Sequence, residues 1–67
     1  MYIVYYGTGT TDYNGNFYGN RWEAEELTAI ANGYYGERLT ANQVQEMCDD
    51  INAHGGHNGF RTWFSEI

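Results

Sequence analysis

Cys48, His54 and His57 are the side chains with the chemistry of a nucleophile or a metal ligand. A thiol beside an imidazole suggests nucleophilic catalysis, and a thiol with two imidazoles suggests a zinc site. Their surroundings argue against both. Cys48 falls within Val44, Met47, Cys48 and Ile51, which recur at i, i+3, i+4 and i+7 as one apolar helical stripe. A cysteine on such a stripe, with no basic neighbour, packs as a small hydrophobe. His54-Gly55-Gly56-His57 offers two imidazoles from a glycine-rich loop, and adding Asp50 as a third ligand matches no standard metal spacing. Gly7-Thr8-Gly9 lacks the third glycine and the helix start of a dinucleotide site, and there is no P-loop or Ser/His/Asp pattern. The sequence therefore predicts no catalytic residue, no metal and no cofactor, and a protein that binds rather than an enzyme.

The carboxylates carry more information. Nine Asp and Glu stand against three Arg, with no Lys, for a formal net charge of -6. No basic stripe suited to phosphates is present, so direct binding of nucleic acid or of an anionic membrane is not predicted. Such a field attracts cationic surfaces. On a helical wheel Glu46, Asp49 and Asp50 cluster nearly opposite the Val44/Met47/Cys48/Ile51 stripe, and so form a solvent-facing patch. Glu46 and Asp50 are a like-charge i, i+4 pair, which costs roughly 0.2–0.5 kcal/mol. Asp49 and Asp50 also sit toward the end of the helix where the dipole disfavours anions. Residues that lose local stability without visible compensation are candidates for function. Glu23, Glu25 and Glu26 are placed in the first turns of an earlier helix, where acids complement the dipole. Together with Asp12 they widen the candidate acidic surface.

The elements that must position these groups belong to one short domain, residues 1–67. A chain this small buries only about 60% of the surface it exposes when unfolded, so its twelve aromatic residues (seven Tyr, three Phe, two Trp) are needed mostly for the core. Tyr2 to Tyr6 reads as a central, well-covered strand. Asn14-Gly15 predicts a hairpin with Tyr13 and Phe17-Tyr18 as arms. Asn20 as N-cap, with Glu23 at N3, predicts a helix from Arg21 to about Asn32, with Leu27, Ile30, Ala31 and Tyr34 at helical spacing and Gly33 as its stop. Thr40-Ala41-Asn42-Gln43 is a capping box, with Leu39 and Val44 as the hydrophobic staple of a second helix that ends at Gly55-Gly56. Phe60 to Phe64 predicts a closing strand, with Phe60, Thr62 and Phe64 on one face and Arg61 and Trp63 on the other. The fold class is α+β: a small antiparallel sheet of about three strands with two helices packed on one face, its terminal strands paired.

A single cysteine rules out an internal disulfide, and Met1 to Gly7 has neither a basic n-region nor a long apolar stretch, which points to a reducing, cytoplasmic setting. The run Asp12-Tyr13-Asn14-Gly15-Asn16-Phe17-Tyr18-Gly19-Asn20-Arg21-Trp22, followed by Glu23-Ala24-Glu25-Glu26, resembles the opening of ArdA-type antirestriction proteins. In size, charge and composition the chain also resembles small acidic anti-CRISPR proteins of bacteriophages. Both resemblances imply a DNA mimic in the cytoplasm of a bacterial host, whose carboxylates replace phosphates in the basic groove of a restriction enzyme or CRISPR effector. On that reading Glu46, Asp49, Asp50, Glu23, Glu25, Glu26 and Asp12 meet a basic nucleic-acid-binding partner, and the protein is a monomer. The competing expectation is a protein–protein interaction domain that binds through an aromatic sheet face, as a homodimer or with another chain.

Overall fold

A run of β-branched and aromatic side chains makes Tyr2–Gly7 a strand, β1, and it is the centre of the fold. In the computed structural model, which describes residues 1–67, the chain continues through β2 (Thr10–Thr11), β3 (Phe17–Tyr18), β4 (Arg21–Glu23), α1 (Glu25–Ala31), α2 (Ala41–Ala53) and β5 (Arg61–Glu66). The main sheet is antiparallel in the order β4-β1-β5, so the first and last strands pair along their whole length, from Tyr2↔Glu66 to Gly7↔Arg61. β2 and β3 form a separate hairpin closed over Asn14-Gly15. This is a small α+β fold, as the sequence predicts.

The even-numbered side chains of β1 face the helices. Tyr2 and Val4 are buried with Ala24, Ala31, Val44 and Cys48, and Leu27, Leu39, Met47, Tyr6 and Phe64 pack around them. Thr62 is buried on the same face, so the predicted alternation of β5 holds. α2 starts where its sequence requires. The Gln43 N–H donates to Thr40 Oγ1 (3.2 Å) and the Thr40 N–H donates to Gln43 Oε1 (2.9 Å). Both helices end in the same way. Gly33 and Gly55 take positive φ, and the N–H groups of Tyr34 and Gly56 reach back to the carbonyls of Ala29 and Ile51.

The start of α1 differs from the sequence expectation. Arg21, Trp22 and Glu23 form strand β4, paired with Gly7, Tyr6 and Tyr5, and the helix begins at Glu25 after Ala24, which makes no side-chain cap. An Asn20 cap is worth about 1 kcal/mol. The strand instead gains three ladder pairs, a Trp22–Tyr6 ring contact (centroids 5.6 Å apart) and an Arg21 guanidinium over Tyr5. The N–H of Ala24 also donates to Val4 O (2.7 Å), which extends the pairing by one residue. Tyr34 lies beyond the helix end and is exposed, not part of an apolar stripe. The hairpin arms are Thr10–Thr11 and Phe17–Tyr18, with Tyr13 in the connecting turn.

β4 is too short to cover β1, and α1 completes the edge with side chains. Thr28 Oγ1 accepts from the Val4 N–H (2.9 Å), and the Asn32 amide pairs with both backbone groups of Tyr2 at 2.8 Å each. On the opposite edge, Asn52 of α2 pairs with both backbone groups of Thr62 (2.8 and 2.9 Å). Each asparagine thus stands in for a neighbouring strand. Asn32→Ala is expected to destabilise the fold by about 1–3 kcal/mol, because it leaves part-buried backbone groups unpaired. Thr40→Ala, at an exposed cap, should cost about 1 kcal/mol. Urea unfolding of the two variants checks the order, and a larger loss at Thr40 would contradict this account.

Candidate acidic interface

α2 presents the acidic trio as its apolar stripe dictates. Val44 and Cys48 are buried, Met47 and Ile51 are half-buried, and Glu46, Asp49 and Asp50 are exposed on the outer face. Residues i, i+3 and i+4 on a helix span about 6 Å of axis. Three charges over that length approach the three to four that duplex DNA carries over about 6 Å. The trio's contacts within the chain are slight. Gln45 Nε2 donates to Asp49 Oδ1 (2.9 Å). His54 Nδ1 lies 3.6 Å from Asp50 Oδ1 and 2.8 Å from the Asp50 carbonyl, with both side chains largely exposed.

No carboxylate in the protein is paired with an arginine. The three guanidiniums lie on aromatic rings instead: Arg21 on Tyr5 and Phe17 (4.7 Å to each centroid), Arg38 on Tyr2 (4.6 Å) and Arg61 on Trp63 (5.4 Å). Apart from the His54 imidazole beside Asp50, the acidic groups are therefore left without an internal counterion.

The structure does not gather all the candidate acids on one surface. Glu23 belongs to β4 and is paired with Tyr5, so its side chain stands on the sheet face away from the helices. It is not in a first helical turn. Glu25 and Glu26 do occupy the first turn of α1 and are exposed. Asp12 Oδ1 accepts from the N–H groups of Asn14 (2.9 Å) and Asn16 (2.8 Å), which makes it a former of the hairpin turn. Glu46, Asp49 and Asp50 lie together on the outer face of one helix.

The two histidines and the cysteine do not meet in one site. Cys48 is fully buried, while His57 sets its ring edge-on against Tyr6, with centroids 4.8 Å apart. No group of three or more His, Cys, Asp or Glu side chains is placed to hold a metal ion. No helix is long and apolar enough to cross a membrane.

The sheet face away from the helices is the aromatic face that the sequence offers as an alternative interface, and it is not bare. The β2–β3 hairpin folds onto it, with Phe17 against Trp63 (5.8 Å), and Trp63 in turn stacks with Tyr5 (6.1 Å). Gly9 permits this approach, since a Cβ there would stand 1.6 Å from Phe17 Cζ. The alternation Arg61/Trp63 was the available signal, but nothing local to it names the ring that comes from the hairpin. Comparison with known proteins adds no relative: no family model matches the chain, and neither the curated proteins nor the solved structures searched give a match.

Burial pushes the Cys48 thiol above its ordinary value of 9.0, and the Asp49 carboxylate adds to the rise. The unfolded thiol ionises near that value while the folded one stays protonated. Its contribution to stability is thus intact below pH 9.0 and lost as pH climbs past it. Native protein at pH 8 is expected to resist alkylation by iodoacetamide and to react promptly in denaturant. Equal rates in the two states would place the thiol outside the core.

Proposed function

We propose that the protein is a nucleic-acid mimic that binds the basic DNA- or RNA-binding surface of a bacterial defence complex, such as a CRISPR effector or restriction enzyme, and blocks recognition of the nucleic acid. The observation that carries this reading is the absence of any arginine–carboxylate pair in a chain of net charge -6, with Glu46, Asp49 and Asp50 exposed side by side. A cationic groove meeting this face finds charges at nearly the linear density of duplex DNA and displaces no arginine counterion. Glu25 and Glu26 on α1, Glu23 on β4 and Asp12 in the hairpin turn add to the overall negative field that steers the encounter. The resemblance to ArdA-type and anti-CRISPR proteins supports the same physics. The protein acts in this reading as a monomer in the cytoplasm of the host cell, without catalysis, cofactor or direct contact with nucleic acid.

A second reading is favoured by the aromatic exposure. Tyr34 and Tyr35 pack edge to face in the loop between the helices while remaining 79% and 67% exposed, and Tyr13 stands clear at the hairpin tip. Tyrosines of this kind anchor protein interfaces, so an interaction domain or homodimer is the alternative.

Pull-down from bacterial lysate at low and high salt separates the two. Mimicry gives capture of a nucleic-acid-binding complex that weakens with salt. Neutralising Glu46, Asp49 and Asp50 together should weaken it by roughly threefold to 150-fold, at about 0.2–1 kcal/mol for each exposed pair. Capture that persists in the triple variant and in high salt, but is lost with Tyr34→Ala and Tyr35→Ala, supports the aromatic reading instead. Glu46→Lys provides an independent check. It replaces a like-charge i, i+4 pair with an opposite one, so the fold should gain a few tenths of a kcal/mol while partner binding falls.

A further inference from the structure

Arg21 and Arg61 are brought together by the register of the sheet. Both pair with Gly7, one from β4 and one from β5, so they stand on the same face, two strand spacings (roughly 10 Å) apart, with no side chain between them. Both lean over the Tyr5–Trp63 stack, Arg21 onto Tyr5 and Phe17 and Arg61 onto Trp63. A guanidinium resting over a ring, with no carboxylate on it, has N–H groups left to donate. Neither arginine has a carboxylate partner.

The two arginines line one groove of about 440 Å³ between the β2–β3 hairpin and the sheet. Thr11 and Ser65 line it as well, and neither hydroxyl has a partner within the chain. Thr11 lies opposite Phe17 on the hairpin face that meets the sheet, and Ser65 shares the face of Trp63. The volume falls in the range of small-molecule sites.

We propose that this groove is a binding site for a small phosphate monoester, with the phosphate forked by Arg21 and Arg61 and the polar remainder on Thr11 and Ser65. Two guanidiniums offer more donors than a planar carboxylate can accept, whereas a phosphate has three oxygens to divide between them. Trp63 supplies a ring edge for a flat substituent. The negative field of the protein opposes any anion, and Glu23, paired with Tyr5 on this same face, is the nearest carboxylate along β4. Affinity is accordingly modest, in the millimolar range. The site is separate from the acidic face of α2, which lies on the other side of the sheet.

The test is an NMR titration of the full chain with inorganic phosphate and with adenosine monophosphate, against chloride at matched ionic strength. Saturable shifts of the Arg61, Trp63 and Thr11 amides and of the Trp63 indole N–H are expected with phosphate and not with chloride. Equal affinity for the two probes assigns the phosphate group alone as the determinant, and tighter binding of the nucleotide assigns an ester whose ring rests against Trp63. Arg61→Gln should weaken binding by about tenfold. Arg61→Lys, which keeps the charge and the fold but not the fork, should also weaken it. Arg38→Gln, which removes the ring-stacked arginine outside the groove, should leave it unchanged, and Glu23→Gln should strengthen it. Absence of saturable shifts with both phosphate probes overturns the proposal. So does binding that survives Arg61→Gln, or that is lost equally with Arg38→Gln.

Discussion

The sheet depends on two asparagine amides. A three-stranded sheet with one flank of three residues leaves backbone groups of β1 and β5 open, and in a chain this small water would reach them at the border of the core. Asn32 and Asn52 close those edges by pairing with both backbone groups of Tyr2 and of Thr62. Each is near the end of its helix, directly before the turn that stops it. The same contact therefore fixes the rotation of the helix, its length and the edge of the sheet. Once Asn52 is held on β5 and Val44 and Cys48 are buried, Glu46, Asp49 and Asp50 have no orientation left except outward.

Charge is partitioned across the sheet. An arginine on an exposed ring gains about 0.5–1 kcal/mol, much the same as an exposed ion pair at about 0.2–1 kcal/mol. Stacking the arginines rather than pairing them with acids thus costs the fold little, and it changes the surface completely. The carboxylates of α2 have no arginine partner, and two guanidiniums without a carboxylate line the hairpin groove. The choice of rings as partners for Arg21, Arg38 and Arg61 leaves the carboxylates of α2 on one side of the sheet and Arg21 and Arg61 on the other.

Much of the fold was legible in the sequence where the determinants are local. The capping box Thr40/Gln43, the stops at Gly33 and Gly55 and the hairpin at Asn14-Gly15 are each decided by hydrogen bonds or dihedrals within about five residues. The strand character of Tyr2–Gly7 follows from its β-branched and aromatic residues, and the apolar stripe of α2 from helical periodicity. The local signals at Arg21–Glu23, an Asn cap and an acid three residues on, are those of a helix start. The strand is chosen instead by Tyr5, Tyr6 and Gly7, more than a dozen residues earlier.

By itself the sequence determined an α+β domain with a strongly acidic surface, its second helix and the outward direction of Glu46, Asp49 and Asp50. Only the tertiary structure decided that Glu23 lies across the sheet from that trio, that Asn32 and Asn52 serve as edge strands, and that Arg21 and Arg61 share a groove. The reason is physical. Helix periodicity and capping are written in neighbouring residues, whereas the pairing of Gly7 with both arginines joins positions 14 and 54 residues away, and no short-range pattern encodes which strand will lie beside which.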